Sequence, residues 1–222
     1  MNGAVLAMPA IAILVLAGCG RVEDTAEAVA DTAGGADTTV SEPATGSCDA
    51  DKPGAELTGE EALAIHECLK PSMLAGYSAG SKGWIPPERV ADYRGWVPAS
   101  SIPGAPGYHA GRFLFTYVNE TGAAEYLRYA DENVTMPAGS LIAKETFSVS
   151  DDGMAKAGPL FFMEKTPAGT SPATGDWYYY AIAPNGAPMA IDVMAACNEC
   201  HMVNFGYRDS LGYPIGEARI SR

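Results

Sequence analysis

Apolar and polar positions divide the 222-residue chain into three regimes. Residues 1–18 carry no charge and are densest in apolar side chains at Ile11-Ala12-Ile13-Leu14-Val15-Leu16. That run is too short to span a bilayer comfortably and reads as a signal peptide. Residues 20–47 hold no aromatic residue, and Glu23, Asp24, Glu27, Asp31, Asp37 and Glu42 stand against the single Arg21. A segment of this kind cannot bury enough surface to fold. As a flexible coil it reaches roughly 30 Å, so 19–47 is expected to be a tether in front of one domain at 48–222.

Inside that domain the apolar period changes once. Thr58-Gly59-Glu60-Glu61 has the capping-box pattern, and Ala62, Leu63, Ile65, His66 and Leu69 give the helix behind it an apolar face. Pro71 is expected to stop that helix. Pro86-Pro87 predicts a second helix running to Arg94, with Pro87 at its first position. Pro98, Pro103, Gly104, Pro106 and Gly107 mark a loop. From Arg112 onward, runs rich in aromatic and β-branched residues take over: Phe113 to Val118, Ser140 to Val149, Leu160 to Glu164 and Trp177 to Ala183 read as strands. Ala123 to Tyr129 reads as a short helix between the first two. Strands gathered mid-chain with helices at both ends predict an α+β domain, an antiparallel sheet of about five strands with helices at one side. Alternation should bring about half of Phe113, Phe115, Phe147, Phe161, Phe162, Trp177 and Tyr179 to one face, where they would line a pocket.

Composition adds a core and a charge. With 47% hydrophobic residues the domain can bury a core. A net charge of −13 argues against nucleic acid or an anionic lipid surface as partner and leaves room for a basic redox protein.

The chemistry lies in the cysteines. Cys197-Asn198-Glu199-Cys200-His201 has the spacing at which two thiols bond the vinyl groups of one haem and the following imidazole becomes the axial ligand of its iron. One haem c is therefore expected, held by Cys197 and Cys200, with His201 as metal ligand. A zinc half-site and a dithiol redox pair are the alternatives. No second Cys or His pair completes a zinc site, and no strand–helix–strand pattern surrounds the motif as a redox pair would need. The other cysteines fall into place by arithmetic: Cys48 and Cys68 are expected to pair as a disulfide in an oxidising compartment. Leu16-Ala17-Gly18-Cys19 resembles the bacterial lipobox, which implies cleavage before Cys19, a lipid on that cysteine, and a protein anchored to the outer membrane and facing the periplasm.

Taken in order, Tyr93-Arg94-Gly95-Trp96, Phe115-Thr116-Tyr117-Val118-Asn119, the run Pro137 to Glu145, Phe161-Phe162-Met163, Gly175-Asp176-Trp177-Tyr178, Cys197 to His201, Asp209 and Tyr213-Pro214 resemble the cytochrome P-460 family, which includes the cytochromes c′-β. The resemblance runs from about Tyr93 to Pro214. It implies a mono-haem c-type protein on an antiparallel sheet, and a homodimer. Lys144 stands where hydroxylamine-oxidising members join a lysine to the porphyrin edge, although an inward lysine on a strand can equally pair with a propionate or reach solvent. Arg112 and Glu164 lie nearest to the family's distal arginine and proton-handling carboxylate. Three functions follow from the resemblance and the motif. One is an enzyme with an open iron that oxidises hydroxylamine and passes electrons on. The second is a nitric-oxide-binding protein without turnover. The third is a six-coordinate electron carrier, with His66, His109, Met163 or Met189 as sixth ligand.

Overall fold

The computed structural model describes residues 47–221; the signal peptide at 1–18, Cys19 and the tether up to residue 46 lie outside the described residues. One antiparallel sheet organises the domain, its strands being β1 Val97–Pro98, β2 Phe113–Val118, β3 Leu141–Val149, β4 Ala155–Ala157, β5 Leu160–Lys165 and β6 Trp177–Ile182. The order is β1-β2-β3-β5-β6, with β4 paired to the far end of β3. The α+β class holds, but the sheet has six strands rather than about five. The two strands that the residue pattern does not show are two and three residues long, too short to express an alternation. Pro98 is tolerated because β1 is an edge. Among the described residues no helix is long and apolar enough to cross a membrane.

Register decides which side chains share a face. Thr116, Lys144 and Phe161 are cross-strand partners in one row, and Ile142, Met163 and Tyr179 form the next. The opposite face carries Phe113, Phe115, Tyr117, Ala143, Phe147, Phe162, Tyr180 and Ile182, which pack on the long helix Gly59–Ser78 through Ile65, Leu69, Met73 and Tyr77. Helices cover both faces, not one. The helix Glu120–Tyr126 packs Ala123 and Tyr126 with Ile142, Met163, Trp177 and Tyr179 on the side of Lys144. It starts earlier than Ala123 because Asn119 is its N-cap, accepting from the Gly122 amide at 3.1 Å; the same oxygen accepts from the Leu141 amide at 2.9 Å and ties the helix to β3.

The long helix opens with the expected capping box at Thr58 and Glu61 but does not stop at Pro71. Proline in a helix interior costs about 3 kcal/mol. Against that, Leu69, Met73 and Tyr77 are buried on one face, and each such side chain contributes about 1.5–3 kcal/mol, so continuing the helix wins. Two carbonyls near the break also find donors: Leu69 O from Ser72 Oγ at 2.8 Å and Lys70 O from Arg94 Nη1 at 2.8 Å. Cys48 and Cys68 form the expected disulfide, with Cα atoms 5.8 Å apart.

His66 lies on the face covered by the long helix, stacked on Phe115 at 4.8 Å, and its Nε2 donates to Glu145 at 2.9 Å. Glu145 is fully buried and also accepts from Tyr93, Arg94 and Tyr117. Burial alone would raise its pKa, but the hydrogen bonds from His66 and Tyr93 and the charge of Arg94 hold it below the ordinary carboxylate value.

Candidate functional site

The Cys197–His201 segment sits on a turn built from its own sequence. Asp192 caps it by accepting from the Met194 and Ala195 amides at 3.1 Å each. Residues Val193–Asn198 form a widened π turn that runs into the helix Glu199–Phe205; such turns recur at functional sites. Cys197 and Cys200 are both half-buried and outside any disulfide. Burial, with Asp192 adding to it, pushes the Cys197 thiol up to about 11, so it rests protonated.

His201 is 7% exposed. Its Nδ1 lies 2.8 Å from the carbonyl of Ser210. A carbonyl only accepts, so Nδ1 carries the proton and Nε2 keeps its lone pair. Burial, helped by the charge of Lys144, pulls His201 down to about 4 against the opposing pull of that hydrogen bond; the ring is neutral and ready to ligate. The carbonyl is held in place by a strained pair, Asp209 at φ 55° and Ser210 at φ 61°. Asp209 is fixed by Lys165 Nζ at 2.6 Å, by the Met136 amide at 2.8 Å and, through its carbonyl, by Trp177 Nε1 at 2.9 Å. Strain of this sort persists only where surrounding bonds over-determine it. Ser210 was not legible as a site residue, because a backbone carbonyl leaves no mark in residue type.

Tyr179 and Phe205 flank the His201 ring at 5.3 and 5.9 Å between centroids. On the same face, Lys144 is 8% exposed and donates from Nζ to Gly212 O at 3.0 Å. Burial brings Lys144 down to about 8, with Cys200 opposing and Arg208 adding. A side chain at position 212 would press on the Phe205 ring at 3.2 Å and on Lys144 Nζ at 3.3 Å, which explains the glycine. Arg112 reaches this face as well. Its Cδ stands 2.9 Å from where a Cβ on Gly158 would lie, beside Thr146 Oγ1, and its Nη1 donates to His109 O at 2.9 Å. The His109 ring rests on Phe161, 4.7 Å between centroids, and burial, with Lys144, His201 and Arg112 close by, pulls it well below the ordinary histidine value.

The structure thus brings together Cys197, Cys200, His201, Lys144 and Arg112, and adds His109 and Phe161. Glu164 does not join them. It points to the other face, 3.2 Å from Arg89 and within 3.4 Å of the Tyr180 hydroxyl, because an even position on β5 faces away from Phe161. His66 is excluded as a sixth ligand on the same ground. Met163 shares the row of Tyr179, on the His201 side. The donor set suits a c-type haem: two thiols three positions apart on one helical face, a neutral imidazole whose free nitrogen is fixed by the bond its partner nitrogen makes, and aromatic walls for a flat apolar ring. The family described as cytochrome P460 matches residues 90–211, more than half of the chain, from before β1 past the Cys197–His201 turn. No curated protein matches it.

Proposed function

The chain belongs to the cytochrome P460 family and is a haem c protein, and from that premise we propose that it takes a small nitrogen species, hydroxylamine foremost, at the iron face opposite His201. Haem, when bound, supplies an iron that holds small ligands and exchanges electrons. The chain does the rest. Cys197 and Cys200 tether the macrocycle, and His201, oriented by Ser210, ligates its iron. Lys144 and Arg112 would offer hydrogen-bond donors to the bound group and its ligand. The supporting observation is the convergence of a buried lysine, an arginine and a neutral, oriented histidine on one sheet face. Electrons leave to a basic partner protein, drawn by the acidic surface, and the protein works as a homodimer on the periplasmic side of the outer membrane, anchored through lipid on Cys19.

A second reading is favoured by Glu164. With that carboxylate on the opposite face, the proton-handling acid of the enzyme reading is missing from the group, which suits nitric oxide binding without turnover. Spectra and digests of the holoprotein decide between them. The hydroxylamine reading expects hydroxylamine-dependent reduction of an added acceptor and a haem peptide that includes Lys144. A haem peptide with only the two thioethers, a spectrum unchanged in Lys144→Ala, and no reduction of acceptor would leave the nitric oxide reading alone.

A further inference from the structure

We propose that His109 is the sixth ligand of the resting haem iron and that an incoming small ligand must displace it. The inference rests on the haem c reading of Cys197, Cys200 and His201. The rings of His109 and His201 are neighbours in an edge-on arrangement, with centroids 6.4 Å apart and planes at 78°. Two imidazoles bound from opposite sides to one metal, each by a bond of about 2 Å, hold their ring centres roughly 6 Å apart. The observed spacing therefore fits a metal ligated by both rings and leaves no room for a further ligand between them.

The sheet supplies this spacing. His201 leans on Tyr179 and His109 leans on Phe161. Phe161 pairs with Ala181, two residues along β6 from Tyr179. Two residues advance a strand by about 6.6 Å, close to the separation of the two imidazoles. One row of the sheet supports each ring. His66, Met163 and Arg112 do not compete for the position: His66 is on the other face, Met163 is in the His201 row, and an arginine stays protonated and has no lone pair to offer.

The segment that carries His109 has a strained backbone. His109 (φ 54°), Ala110 (φ 59°) and Gly111 (φ 68°) are three successive left-handed residues, a conformation that L side chains disfavour at the two that are not glycine. Arg112 holds the turn by donating to His109 O, and Tyr108, 53% exposed, touches the haem helix only edge-on at Phe205, 6.0 Å between centroids. Side chains at Gly107 and Gly111 would meet nothing within 4 Å, so these two positions of the loop are unpacked. Relief of backbone strain offsets part of the lost metal bond, which makes the ligand a displaceable one.

The test uses the holoprotein and its His109→Phe variant. Ferric wild type should be low-spin by electron paramagnetic resonance and absorption, and His109→Phe should be high-spin. Carbon monoxide binding to ferrous wild type should saturate at a rate independent of gas concentration, the rate at which His109 leaves; in the variant it should rise linearly and be about tenfold faster or more. High-spin wild-type iron with linear gas binding overturns the proposal, as does low-spin iron that persists in the variant. A purified chain without covalent haem would instead refute the haem reading beneath it. The gas kinetics of the wild type alone decide the matter if the variant does not fold.

Discussion

Lys144 and Glu145 are neighbours in the chain, and the pleat of β3 sends one to the side of His201 and the other into the core under the long helix. The lysine was legible from strand alternation and from the resemblance. The role of Glu145 was not, because its partners His66, Tyr93 and Arg94 lie 79, 52 and 51 positions away and no local pattern joins them. Its folded pKa is depressed, so it stabilises the fold above the unfolded glutamate value of about 4.3, and that stability is lost as pH falls through the folded value. Glu145→Gln leaves Arg94 and His66 facing a neutral amide and should cost about 3–5 kcal/mol near pH 7. Urea unfolding of both proteins between pH 7 and acid checks this: the wild type should weaken more steeply on acidification, and parallel slopes would remove Glu145 from the account.

Among the elements, the four strands longer than about five residues, the ordinary length of a strand, were read correctly, while the helical stretch Val193–Phe205 was not foreseen as an element. Two of the failures share one cause, which is that tertiary partners override a local stop or start. Burial of Leu69, Met73 and Tyr77 carries the long helix through Pro71, and the bonds of Asn119 to β3 move the start of the helix Glu120–Tyr126 ahead of its apolar residues. The disulfide is the element-scale feature that cysteine arithmetic did find. It closes a loop across a sequence separation of 20, and such a loop contributes about 3 kcal/mol. Replacing both Cys48 and Cys68 with serine should shift the denaturation midpoint by that order and leave the haem spectrum unchanged, since both cysteines are on the far side of the sheet from His201. A spectral change would mean that the two faces communicate.

At the scale of the whole molecule, the sheet is a partition with stability on one side and chemistry on the other. The lipid anchor belongs to this scale: phase partitioning with fatty-acid labelling should place wild type in the detergent phase and Cys19→Ala in the aqueous phase, and identical behaviour without label would end the anchor proposal. The described residues begin on the side of the sheet covered by the long helix. Asp49 accepts from the Ala155 amide at 2.8 Å, the Ala50 amide donates to Gly153 O at 2.8 Å, and Cys48 is bolted to the long helix. If Cys19 carries lipid as proposed, a chain that leaves from this face keeps its point of attachment on the side of the sheet away from His201 and Lys144.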